Sequence, residues 1–103
     1  MRRYSEKGLI KKKEQAERTK LLHEWFQTLW KKRAHYSEVS GQFLGHECKT
    51  IFFHHIMPKH RYPELEFDER NIILLTWDEH ATVENNPSIY QEINIRREEL
   101  SQL

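Results

Sequence analysis

From Leu9 to Tyr36 the chain contains neither glycine nor proline, and this run constrains the fold more than any other feature. Within it Leu22, Trp25, Phe26, Leu29 and Trp30 recur at spacings of three and four. That period places the apolar side chains on one face of a helix and leaves charged residues on the other. One long helix over 7–35 is therefore predicted, with the stripe read as core. Trp25, Phe26, Leu29 and Trp30 would serve an interface equally well, so a homodimer through this helix is a second expectation. Residues 7–20 offer only Leu9, Ile10 and Ala16 to a core, so that part is expected to project or fray.

Downstream the pattern changes. Residues 36–50 hold two of the three glycines and read as turns around a short hairpin. Strand formers fill Thr50-Ile51-Phe52-Phe53-His54, and Asn71-Ile72-Ile73-Leu74-Leu75-Thr76 is an apolar run of strand length. Between them Pro58 and Pro63 bracket a loop carrying Lys59, His60, Arg61 and Tyr62. Asp78 is expected to N-cap a short helix through Glu84, broken by Asn85-Asn86-Pro87. Ser88 or Asn86 then opens a final helix with Ile89, Ile93 and Leu100 facing inward. The expected class is α+β in a single domain: a basic long helix over 1–35, and a body over 36–103 that ends in a helix. Apolar residues make up 37% and charged residues 32% of 103, so the core is lean and a bound metal is an obvious supplement.

Charge and cysteine usage narrow the function classes. Residues 1–33 carry 11 Lys/Arg against 4 Asp/Glu, a net of +7, and residues 34–103 carry 6 against 12, a net of −6. A basic arm on an acidic body suits a polyanionic partner met by one end; a solvated helix with ordinary surface lysines is the plainer alternative. No apolar run approaches membrane-spanning length, and Met1–Lys7 leads into Lys11-Lys12-Lys13 rather than an apolar leader. Cys48 is the single cysteine, which excludes an internal disulfide and a four-cysteine zinc site. A cytoplasmic setting is expected.

The histidines carry the chemistry. There are seven; His54 and His55 are adjacent at the end of the first expected strand. Neighbours in a strand point to opposite faces, so such a pair can divide labour, one ring on a metal and the other on substrate. His80 lies 25 residues beyond His55, early on the short helix, with Glu84 at i+4. On a helix that spacing shares a face, so His80 and Glu84 can approach one ion. His23, His35 and His46 lack such a pattern and read as structural or surface residues.

His54-His55-Ile56-Met57-Pro58-Lys59, then Asn71-Ile72-Ile73-Leu74-Leu75, then His80, resembles the motif of the HNH endonucleases. Its gap of nine from Asn71 to His80, with Glu84 four residues on, is most similar to the double-histidine type of the DNase colicins. The Tyr62-Pro63-Glu64-Leu65 loop and the Asn-Ile-Ile-Leu-Leu run look like phage-encoded HNH proteins. The resemblance covers about residues 36–86. It implies a treble-clef-like ββα-metal unit, here preceded by a long helix and followed by another. It further implies DNA phosphodiester hydrolysis with one divalent ion (Mg, Mn, Ni or Zn), in the cytoplasm of a bacterial host if the chain is phage-encoded. On that resemblance His54 and His80 are metal ligands, Glu84 a third candidate, His55 the general base, and Asn71 the residue that orients it by tying the loop to the second strand. Lys59, His60, Arg61 and Arg70 are the candidate nucleic-acid contacts, with Arg2-Arg3 and Lys11-Lys12-Lys13 adding nonspecific affinity.

The chain also departs from the family. Many HNH proteins carry a zinc knuckle of two Cys-x-x-Cys pairs; here those places read Ser37, Ser40, Thr76 and Glu79. No structural zinc is expected, with packing of Trp77 and the long helix substituting for it, and Cys48 reads as a buried small residue. Loss of those ligands leaves open an alternative: an inactive HNH-fold protein that binds nucleic acid or serves phage assembly or regulation.

Overall fold

The computed structural model describes residues 6–103, with side chains described from Lys12 onward. The basic side chains of Arg2, Arg3 and Lys11 lie outside the described residues.

Helix α1 spans Glu6–Lys32. Its stripe is core: Leu29 is 1% exposed, Phe26 and Trp30 are buried, and Leu22 and Trp25 pack partly beside them. Past Lys32, Arg33 fastens the chain to the body. Its guanidinium donates to the backbone carbonyls of Ile72 and Glu69 and to the Glu38 carboxylate. Residues 12–20 are exposed, as expected of a projecting segment, yet the segment does not stand clear of the body. Arg18 reaches across to Glu66 in a two-pronged ion pair, each prong 3.2 Å long. Lys32 adds a bridge to Glu69. Part of the basic helix's charge is therefore spent on the acidic body within the chain.

Two antiparallel strands, β1 (Phe53–His55) and β2 (Ile72–Leu74), form the sheet. The register pairs Phe53 with Leu74, His54 with Ile73 and His55 with Ile72. Alternation sorts the side chains. Ile72 and Leu74 face α1 with Phe26, Leu29, Trp30 and Phe53. Ile73 and Leu75 face the other way, against Val83, Ile93 and Leu100. All four residues from Ile72 to Leu75 are fully buried, and each such side chain contributes about 1.5–3 kcal/mol of transfer free energy. The strands are shorter than the apolar runs suggest. Thr50–Phe52 forms a 3₁₀ turn, and so does Glu69–Asn71, where the Asp68 side chain caps the Arg70 amide.

Helix α2 spans Trp77–Asn85 and α3 spans Gln91–Ser101. The N-cap of α2 is Thr76, not Asp78. Thr76 and Glu79 form a capping box in which each side chain meets the other's backbone amide, and two satisfied amides outweigh one. Likewise α3 opens at Tyr90 without a side-chain cap, later than Ser88 or Asn86. Ile93 and Leu100 are buried as expected, but Ile89 precedes the helix and is 48% exposed. The class is α+β: three helices around a two-stranded sheet. Among the described residues no helix is long and apolar enough to cross a membrane.

Candidate functional site

β1 delivers two histidines to opposite faces of the sheet. His55 is in register with Ile72 on the α1 side, 6.0 Å from the Phe26 ring. His54 is in register with Ile73 on the α2 side, its ring 5.0 Å from that of His80 and perpendicular to it. Because the strand ends here, both rings open onto one cleft of about 370 Å³. The cleft is also lined by His80, Glu84, Lys59 and His60.

Hydrogen bonds fix which nitrogen each ring offers. His80 Nδ1 meets the carbonyl of Ile51. A carbonyl only accepts, so Nδ1 carries a proton. The other nitrogen, Nε2, lies 3.2 Å from Glu84 Oε1 and pairs with it when the ring is protonated. The same logic holds at His55, where Nε2 donates to the carbonyl of Glu66 at 3.0 Å and Nδ1 keeps the lone pair. Among the described residues the His54 ring contacts His80 but has no hydrogen-bond partner. Burial, followed by the repulsion of His80, His55 and Arg97, pushes its pKa from 6.5 down to about 4. His54 is thus a neutral, unpartnered nitrogen donor at neutral pH.

This has a consequence for stability. The unfolded chain protonates His54 near 6.5, whereas the folded chain resists until about 4. The contribution is complete above 6.5 and is lost as pH falls through the window between, at up to about 1.4 kcal/mol per pH unit. Urea unfolding of wild type and His54→Asn at pH 7 and pH 4.5 is expected to show a smaller acid loss in the variant. Equal losses would refute the assignment.

Asn71 sits beneath the cleft at 0% exposure. Its side chain accepts from the Met57 amide at 2.7 Å and donates to the carbonyls of Met57 and Leu65 at 3.0 and 3.1 Å. It therefore closes the loop between the strands from inside. Arg61 and Arg70 are not brought to the cleft. Arg61 lines a neighbouring one, and Arg70 is clamped on the far side by Asp68, at 3.0 and 2.6 Å. Among the described residues Lys59 and His60 have no hydrogen-bond or ion-pair partner. His35 stacks on Trp30, 3.8 Å between centroids, and His46 rests on the edge of Phe43.

Sequence reasoning missed Glu66. Its carboxylate is buried, 3% exposed, and is met by Arg18 of α1, while its own backbone carbonyl holds His55. One residue thus joins the basic helix to the candidate base. A glutamate between Leu65 and Phe67 was the available signal.

At the opposite end of the unit Ser37, Ser40, Thr76 and Glu79 meet. Ser37 Oγ donates to Glu79 Oε1 at 2.6 Å and accepts from the Val39 and Ser40 amides. Glu79 accepts in turn from the Thr76 amide at 2.8 Å. Burial raises the Glu79 pKa, but hydrogen bonds from Ser37, Thr76 and Ser40 outweigh it and hold the carboxyl below its ordinary range. Gly41, at φ 76°, turns the chain back so that the loop can close. Packing of Trp77 does not fasten this junction, contrary to expectation: Trp77 is 70% exposed. Cys48 is only partly buried, at the edge of the α1 cluster, where desolvation raises its pKa.

Among the described residues no group of three or more His, Cys, Asp or Glu side chains is placed to hold a metal ion. Comparison with protein-family models, curated proteins and solved structures finds no match for this chain.

Proposed function

We propose that the chain is an HNH-type endonuclease that hydrolyses DNA phosphodiester bonds, and that β1, β2 and α2 form a ββα-metal unit. The observation that carries the reading is the cleft itself. It gathers His55, whose Nδ1 is free, beside His54, whose ring has no hydrogen-bond partner, and His80, whose Nε2 faces Glu84.

The donor set suits an open metal site and not a closed cage. His54 is neutral, and His80 is oriented by a backbone carbonyl, the usual outer partner of a metal-bound imidazole. Glu84 Oε1 pairs with His80 Nε2 at 3.2 Å and its side chain is 67% exposed, so it can turn toward the cleft. His54 and His80 would hold a divalent cation, and Glu84 would have to turn in to serve as a third ligand. Such an ion would offset the charge that develops on the phosphate and the leaving oxygen.

His55 does the proton transfer. Histidine is the side chain that accepts a proton near neutrality, and Nδ1 takes it from the attacking water while Nε2–H stays on the Glu66 carbonyl. As the ring becomes cationic, that carbonyl stabilises it. Asn71 keeps the loop from shifting relative to β2. Lys59 and His60, unengaged at the rim, attract the phosphate backbone.

Incubation of supercoiled plasmid with the protein and Mg²⁺, Mn²⁺, Ni²⁺ or Zn²⁺ is expected to yield nicked circles with at least one ion and none with excess chelator. Retardation of DNA without nicking under every ion would replace this reading with that of an inactive binding module.

A further inference from the structure

Beside the cleft lies a second one of about 570 Å³, between the inter-strand loop and α3. Pro58 forms part of the wall of both. Arg97 and Arg61 line the second cleft together with Tyr62, Asn94 and Glu98.

Arg97 is held without a counter-charge. Nη1 donates to Asn94 Oδ1 at 2.9 Å and Nη2 to the Pro87 carbonyl at 2.8 Å, both neutral acceptors. Of the five N–H groups on a guanidinium, three remain for a ligand. Among the described residues the Arg61 side chain has no hydrogen-bond or ion-pair partner, and neither arginine pairs with Glu98. The contrast with the other arginines is sharp. Arg18, Arg33, Arg70 and Arg96 each meet a carboxylate. A tethered, partly buried cation that pairs with no carboxylate, in a cleft that holds a second cation and Glu98, has hydrogen-bond donors left for an anion.

We propose that Arg97 and Arg61 form a subsite for a phosphodiester group of the strand being cut, one that flanks the scissile phosphate and lies beyond Pro58. This rests on the nuclease reading of the neighbouring cleft. The tethers to Asn94 and Pro87 fix the Arg97 guanidinium before substrate arrives, so little side-chain freedom is lost on binding. Arg61 is exposed at the mouth of the same cleft and supplies the second charge to the phosphate.

The test uses a fluorescent DNA duplex, with binding followed by anisotropy across a salt series in the His55→Ala background so that no cleavage intervenes. Arg97→Gln is expected to weaken binding roughly tenfold at low salt. It should also flatten the slope of log K against log salt by about 0.9, the value of one lost phosphate contact. Arg97→Lys should restore the slope, since the charge is retained; Asn94→Ala, which removes a tether but no charge, should leave it intact. In otherwise wild-type protein, Arg97→Gln should raise KM while kcat stays within about twofold. A slope unchanged in Arg97→Gln, in protein that still nicks plasmid, overturns the subsite alone. A slope change that Arg97→Lys fails to restore also overturns it, by assigning Arg97 a structural role. Wild-type protein that neither binds nor nicks overturns the nuclease reading.

Discussion

Replacing His55 with alanine is expected to slow plasmid nicking by about 10²–10⁴, the range that general-base assistance contributes. The variant should fold. The imidazole makes one hydrogen bond to the chain, from Nε2 to the Glu66 carbonyl, and its loss costs about 1 kcal/mol. It should also bind divalent ions as wild type does, because His54 and His80 occupy the other face of the sheet and α2. Slow chemistry with intact ion binding is the signature of a proton acceptor. His54→Ala and His80→Ala should weaken ion binding and nicking together. Rates and calorimetric titrations on the three variants distinguish the roles. A His55→Ala rate within threefold of wild type would remove the base from the mechanism.

The second large effect concerns Asn71→Ala, which is expected to lower stability by about 3 kcal/mol or more. Two buried backbone groups, the Met57 amide and the Met57 carbonyl, lose their partner at once, and the Leu65 carbonyl keeps only the Asp68 amide. Each unsatisfied group costs about 1–3 kcal/mol, and a fully buried side chain leaves no ready path for water to replace it. For a domain near this length 1 kcal/mol moves Tm by about 4–8 °C, so a fall beyond about 10 °C is expected in a thermal melt. Asn71→Asp should be no better: it keeps the acceptor, loses both donated bonds and adds a buried charge. Arg70→Ala, one residue away but exposed and paired only with its neighbour Asp68, serves as the control and should stay within about 0.5 kcal/mol. If the two alanine variants melt together, Asn71 is not what closes the loop.

Local periodicity carried the α1 stripe, because Phe26, Leu29 and Trp30 are buried by the same spacing that makes them visible in the chain. It carried the centre of each strand but overran the ends, where Thr50–Phe52 and Glu69–Asn71 close on local three-residue backbone bonds, the second also capped by Asp68. Trp77 was misjudged because burial of an aromatic is a tertiary fact; nothing in Thr-Trp-Asp says that the ring faces solvent. At the site, β-strand alternation and i,i+4 spacing anticipated which faces His54, His55, His80 and Glu84 occupy. Glu66 and Arg97 escaped notice for a shared reason. A lone charge in a loop or a helix looks solvated until the chain folds a distant group, Arg18 or the Pro87 carbonyl, against it. The seven-unit excess at the N-terminal end was legible as charge, but its partial neutralisation by Glu66, Glu69 and Glu38 was not.

The junction of Ser37, Thr76 and Glu79 is held by hydrogen bonds from a hydroxyl and a backbone amide to one carboxylate. Hydroxyls and a carboxylate cannot be oxidised to sulfenic acids or alkylated by thiol reagents. Cys48, the single sulfhydryl, is no part of this junction, so thiol-modifying reagents are expected to leave the junction intact.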